Sequence, residues 1–172
     1  MIFLLLPVIG FIGLLLLALV MPKRYKVKRS IIIHRSVGDV MNKVGDLNYY
    51  AQWNPWQQID PTTTSTITGI PNTIHHKYSW HGKKIGTGSL TINSIDDSHI
   101  HFDLEFQKPW KSHANDNWAF EEQRIGETKV DWQNSGDLRW PFARIMGPGI
   151  NLMLNRKFEK GLNNLKQIVE KS

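Results

Sequence analysis

The sequence predicts an α+β domain in which a long C-terminal helix covers one face of an antiparallel sheet. Segments typical of strands follow one another at short intervals with tight turns between them, which favours an antiparallel meander. The clearest alternation puts four apolar side chains on one face, Ile100, Phe102, Leu104 and Phe106. An apolar stripe at helical spacing follows, Leu154, Phe158, Leu162, Leu165 and Val169. This last segment is the only long amphipathic element that could cover the sheet.

The elements are expected in the order strand, two short helices, about six strands and one long helix. The β-branched residues 31–33 predict a first strand over 24–34. Ser36, with Asp39 three residues later, resembles a capping box and begins a short helix through about Gly45. A second helical turn over 46–56 ends where Pro55 disfavours helix at Asn54. The long helix begins at the 147–149 Gly-Pro-Gly or near Phe142, in which case it is kinked.

Residues 2–21 contain no charged side chain, and 20 residues of helix span roughly 30 Å, the thickness of a bilayer's hydrocarbon core. No basic residue precedes this run, which argues against a cleaved signal peptide. We therefore expect a transmembrane anchor over 1–22, a basic juxtamembrane neck over 23–29 and a folded domain over 30–172. The neck contains Lys23, Arg24, Lys26, Lys28 and Arg29. Such a flank predicts a single-pass membrane protein with a cytoplasmic C-terminal domain, and it attracts anionic headgroups.

Composition excludes several classes of function. Once the five basic residues of the neck are set aside from the 21 in the chain, 16 basic and 15 acidic residues remain. A folded part so close to neutral argues against a nucleic-acid partner. The chain has no cysteine, which excludes disulfide scaffolds, thiol nucleophiles and cysteine-ligated metal sites.

Four short stretches of the folded part are distinctive, Trp53-Asn54-Pro55-Trp56, residues 78–82, Gly86-Thr87-Gly88 and residues 158–166. Together they resemble the START/SRPBCC superfamily, in particular its polyketide cyclase and lipid-transport branch. The resemblance covers residues 27 to 170 in element order. It implies a helix-grip fold, a curved seven-stranded antiparallel sheet wrapped around the C-terminal helix, with a hydrophobic cavity between them. Members bind lipids, sterols, quinones or polyketides, and some are enzymes; the fold alone does not decide between these functions.

Residues on the predicted inner face are candidates for the wall of a ligand cavity. They are His76, Tyr78, Trp80, Leu104, Phe106, Trp118, Phe120, Trp132 and Leu154. Large aromatic side chains suit such a wall, but each could equally fill an ordinary core. His76 is either a hydrogen-bonded core histidine or a polar group in the cavity. The segment 142–150 is either a gate over the cavity or an ordinary connection.

Signs of catalysis are weak. Gly86-Thr87-Gly88 lacks the third glycine and the helix of a dinucleotide loop, and His99 and His101 share a face without an evident third metal ligand. We therefore predict no metal and no cofactor. Asp116 and Glu122 share the alternation phase of Trp118, so either could be an inward acid with a raised pKa.

Three functions follow from these observations. The first is a membrane-anchored binding or transfer protein for a hydrophobic small molecule such as a lipid, quinone or polyketide-like compound. The second is a cyclase or dehydratase that uses a cavity acid or His76. The third is a regulatory protein-interaction module with a closed core, which would expose an apolar patch instead.

Overall fold

Seven strands and four helices make up the computed structural model, which describes residues 2–57 and 59–171, with side chains from residue 9 onward. The strands are β1 (Arg24–Ile33), β2 (Thr64–Thr68), β3 (Lys77–Gly82), β4 (Gly86–Ile95), β5 (His99–Lys108), β6 (Ser112–Arg124) and β7 (Glu127–Asp137). The helices are α1 (Ile2–Val20), α2 (Val37–Gly45), α3 (Tyr50–Trp53) and α4 (Phe142–Lys171). All neighbouring strands are antiparallel, in the order β1-β7-β6-β5-β4-β3-β2. The predicted α+β class and the seven-stranded antiparallel sheet are confirmed.

Local chemistry explains the short helices. The Ser36 hydroxyl accepts a hydrogen bond from the Asp39 amide, which caps the first turn of α2 as the capping pattern predicts. Val40, Met41 and Val44 then form the buried face of that helix. Helices α2 and α3 place their apolar residues on the inner face of the sheet, beside α4.

Helix α4 is continuous from Phe142 and contains Pro148. Of the two predicted starts of this helix, the one near Phe142 is therefore confirmed. Its buried stripe holds Phe158, Leu162, Leu165 and Val169, each at most 2% exposed. This half of the helix packs on β1, α2 and α3. The sheet and α4 therefore enclose one apolar core between them.

One predicted alternation is wrong at its start. The alternation of Ile74, His76 and Tyr78 in the sequence predicts that the three share the inner face, yet Ile74 is 49% exposed and lies before β3. His75 has a positive φ of 71°, which turns the chain and interrupts the two-residue period.

The predicted transmembrane helix and single-pass membrane localisation are wrong. No helix in the described residues is long and apolar enough to cross a membrane. Helix α1 instead contacts α4. Its Ala18 is fully buried, and the Ala18 carbonyl accepts a 3.5 Å hydrogen bond from Arg144 of α4. Of the predicted anchor, residue 1 and the side chains of residues 2–8 lie outside the described part.

The close approach of α4 to the sheet gives a stability prediction. A Cβ atom at Gly161 would lie 2.9 Å from the Trp132 ring and 3.1 Å from Pro55. Gly161→Ala should therefore lower the free energy of unfolding by about 1–3 kcal/mol, despite the better helix propensity of alanine. Urea unfolding of the full chain measures the change.

Gly149→Ala is the matched control, because it lies in the same helix with nothing within 4 Å of the added Cβ. This variant should be neutral or stabilising by up to about 1 kcal/mol. Equal effects of the two substitutions would show that Gly161 is not a packing constraint.

Candidate functional site

A buried carboxylate lies at the centre of the inner face. Asp116 of β6 is 5% exposed and accepts three side-chain hydrogen bonds. The indole N–H groups of Trp132 and Trp118 donate to it at 2.6 and 3.3 Å, and the Asn134 amide donates at 3.1 Å. The Tyr25 hydroxyl in turn donates to the Asn134 carbonyl oxygen at 2.8 Å. These polar side chains from three adjacent strands thus form one connected network.

The surroundings of Asp116 change its acidity. Burial raises the pKa of Asp116 to about 6, and the three donated hydrogen bonds oppose that rise without cancelling it. Burial also raises the pKa of Tyr25 to about 12, with a further contribution from the Asp116 charge. The pKa of Tyr50 is raised by burial first, then by the charges of Asp116 and Tyr78. Asp116 therefore takes up a proton more readily than an exposed carboxylate does.

Aromatic rings surround this network. Trp118 and Trp132 are directly opposite each other on β6 and β7, with ring centroids 4.6 Å apart. Trp132 stacks on Phe158 of α4 at 3.9 Å with an interplanar angle of 3°. Trp53 of α3 meets both indoles edge-on, at 5.5 and 5.9 Å. We call Trp53, Trp118, Trp132 and Phe158 the aromatic stack; it joins α3, α4 and the sheet.

The nine predicted wall residues differ in burial. Five of them are buried at 9% exposure or less and belong to the core: Tyr78, Trp80, Trp118, Phe120 and Trp132. Leu104, Phe106 and Leu154 are half-buried. The ninth, His76, is fully buried; its Nε2 accepts a hydrogen bond from the Leu47 amide at 3.1 Å, and its Nδ1 lies 3.0 Å from the Thr68 carbonyl. Both ring nitrogens of His76 are therefore engaged by backbone groups.

The inner face is less covered toward one end of the sheet. Along β5, Ile100 and Phe102 are at most 2% exposed, whereas Leu104 and Phe106 are half-buried. Along α4 the burial likewise falls from Phe158 to Leu154 toward the start of the helix. We call Leu104, Phe106 and Leu154 the mouth. Trp80 lies beside it, with its ring 5.7 Å from that of Phe106.

Three buried side-chain polar atoms lack a hydrogen-bond partner within the described residues, the Trp53 indole nitrogen, the Ser89 hydroxyl oxygen and the Asn151 side-chain oxygen. The Trp53 indole nitrogen is buried in the aromatic stack. The Asn151 side-chain oxygen is buried on α4, three residues before Leu154. A buried polar atom without a partner costs about 1–3 kcal/mol, so a molecule that bonded to one of these atoms would recover part of that energy.

The outer face of the sheet is polar. It has a groove of about 250 Å³ beside Thr66, Ser79 and Ser89 and another of about 200 Å³ beside His99 and His101. The His101 ring bonds to Asn117 at 2.8 Å. Among the described residues no three metal-ligating side chains lie together.

Sequence reasoning found part of the network. It identified Asp116 as an inward acid by its alternation phase, but it offered Glu122 on the same ground, and Glu122 is exposed beyond the core. It missed Asn134 and Tyr25. Asn134 has the same alternation phase as Val130 and Trp132 on β7, so the sequence could have identified it as an inward residue. The contact of Tyr25 with Asn134 joins residues 109 positions apart, which no local pattern predicts.

Comparison with known proteins identifies the fold. No family model and no curated protein matches the sequence. Among solved structures, the Zhui aromatase/cyclase from a Streptomyces species aligns with TM-score 0.63 and 16% identity, over 86% of this chain and 94% of that one. TTHA0849 from Thermus thermophilus aligns with TM-score 0.63 and 14% identity, over 84% and 97%. Protein CV1439 from Chromobacterium violaceum aligns with TM-score 0.60 and 15% identity, over 87% and 99%. With its seven antiparallel strands and C-terminal helix, the chain therefore has a helix-grip-like fold.

Proposed function

We propose that this chain is a START/SRPBCC-type protein that binds a hydrophobic small molecule between the inner face of the sheet and the first half of α4. The observation that carries the proposal is the mouth, where inward apolar side chains from both elements are only half-buried. When a ligand covers apolar surface that is partly exposed to water, the complex is stabilised by about 25 cal/mol per Å² of surface covered. Ligand sites in proteins are mostly apolar, with a few polar groups that fix orientation.

Entry of a ligand deeper into the core requires movement of α4, because the aromatic stack fills the interior. The first half of α4 is the part suited to move. Pro148 has no amide hydrogen to donate to Arg144, and Gly147 and Gly149 flank it, so the helix is intrinsically weak there. The Asn151 oxygen, buried without a partner in the described structure, lies just beyond this break.

A second candidate function is acid-assisted cyclisation or dehydration of the bound molecule. Two findings favour it: the inward, protonatable Asp116 and the fold shared with an aromatase/cyclase. However, the carboxylate already accepts three hydrogen bonds and lies behind two indole rings. A substrate would have to displace one of those donors, so binding at the mouth is the better supported function.

Filling the mouth should prevent binding. The neutral probe N-phenyl-1-naphthylamine should fluoresce on binding the full-length protein. Leu154→Trp, which adds a ring where α4 faces the sheet, should weaken that binding about tenfold, the equivalent of about 1.4 kcal/mol. Fluorescence titration measures the affinity, and thermal unfolding shows that each variant is folded.

The matched control is Leu152→Trp, because Leu152 lies on the outer side of the same helix and is 57% exposed. This variant should bind the probe like the original chain. Failure of the original chain to bind the probe would refute the proposed function, and an equal loss in both variants would refute the location.

The raised pKa of Asp116 makes stability depend on pH. Its pKa is about 6 in the folded chain and about 3.9 unfolded, so the folded state binds the proton more tightly. The resulting stabilisation is present below about pH 4 and is lost as the pH rises through 6. The free energy of unfolding should therefore contain a fall of about 3 kcal/mol between pH 4 and 6, at about 1.4 kcal/mol per pKa unit.

Urea unfolding of the original chain and of Asp116→Asn at a series of pH values isolates this contribution. The lowered pKa values of Asp60, Asp96, Asp131 and Glu170 act with the opposite sign, but they act in both proteins and cancel in the difference. Parallel stability curves for the two proteins would contradict the raised pKa.

A further inference from the structure

Charge is separated along the strand direction. Three connections lie at the same end of the sheet, residues 82–86 between β3 and β4, 108–112 between β5 and β6, and 137–142 between β7 and α4. They carry five exposed basic residues, Lys83, Lys84, Lys108, Lys111 and Arg139, which we call the basic rim. Connections and strand ends at the opposite end carry mainly acidic residues, Asp96, Asp97, Glu121, Glu122 and Glu127, together with Arg35 and Arg124.

The cations of the basic rim are not neutralised within the protein. Across the described part of the chain, none of the five takes part in an ion pair. Two carboxylates close to these connections are already engaged. Asp137 pairs with Arg24 at 3.0 Å, and buried Asp60 accepts hydrogen bonds from the Lys84 amide and the Thr62 hydroxyl, both at 2.7 Å. The rim is therefore available to an anion from outside.

The basic rim lies at the same end of the sheet as the mouth. Leu104 and Phe106 are the last inward apolar residues of β5, four and two residues before Lys108. Helix α4 begins after the connection that holds Arg139, and Leu154 lies about 18 Å along it. The connections also touch each other, because a Cβ atom added at Gly86 would collide with the Lys108 carbonyl oxygen. An apolar opening and a group of unpaired cations thus occur at one end of the fold.

We propose that the ligand of this site is an anionic amphiphile, a long apolar chain or ring system with one carboxylate or phosphate group. This inference rests on the proposed function. The apolar part lies at the mouth, between β5 and α4, and the acidic group stays near the water interface among the rim cations. The field of the rim attracts anions and disfavours cations, so it also selects the orientation in which the molecule enters.

Competition against bound N-phenyl-1-naphthylamine tests the proposal with the full-length protein. The competitors share one chain length and differ in charge: dodecanoate, its methyl ester and dodecyltrimethylammonium, all below their micelle-forming concentrations. At about pH 8, where the carboxylate is ionised, dodecanoate should bind about tenfold more tightly than the ester, and the cation more weakly than both. The preference for dodecanoate over the ester should shrink at about 1 M salt, because the Debye length there is only about 3 Å and the rim charges are screened.

Charge reversal locates the effect. The double variant Lys84→Glu/Lys111→Glu should bind dodecanoate about tenfold more weakly and leave ester binding unchanged. Arg124→Glu/Lys171→Glu makes the same change in net charge at the opposite end and should leave both affinities unchanged.

Equal binding of dodecanoate and ester by the original chain would overturn the inference and leave the proposed function standing. An equal loss in the two double variants would also overturn it, because net charge rather than the rim would then be responsible. If neither the probe nor any competitor binds, the proposed function fails and the inference falls with it.

Discussion

The hydrogen bonds that the Asp116 carboxylate accepts from Trp118 and Trp132 hold together the centre of this fold. Each indole ring has its orientation fixed by its N–H, and Trp132 then presents a flat face on which Phe158 of α4 stacks. Trp53 closes the arrangement from α3. Burying a carboxylate is costly unless donors surround it, so the network and the aromatic stack depend on each other. The contact between sheet and helix is strongest here and weaker toward the start of α4.

That gradient connects architecture to function. The second half of α4 is held by aromatic stacking and by a stripe of fully buried aliphatic side chains. The first half contains a proline, faces half-buried residues and leaves the Asn151 oxygen without a partner in the described structure. In the proposed function, a molecule binds beside the first half of the helix and leaves the core around the second half intact. The unpaired rim cations lie at that same end of the sheet.

Much of the fold could be predicted from the sequence because alternation and helical spacing are local properties. The phase of Trp118 and Phe120 also identified Asp116 as an inward acid. The prediction failed where local pattern and three-dimensional environment diverge. The positive φ of His75 interrupts the alternation before β3, and Ile74 is exposed. The length, lack of charge and basic flank of the N-terminal apolar run predict a membrane span that the structure does not support. Composition shows neither the half-burial of Leu104 nor the separation of charge. A domain whose net charge is close to zero can still have one acidic end and one basic end.

Hydrogen–deuterium exchange of the full-length chain, with and without N-phenyl-1-naphthylamine, tests the central claim most directly. The account predicts that amides of residues 142–154 exchange faster than those of residues 158–170, and that the probe slows exchange in the first segment and in the second half of β5. Uniform slow exchange along α4, unchanged by a bound probe, would contradict it. In that case the helix would be a rigid cover and the ligand would bind elsewhere.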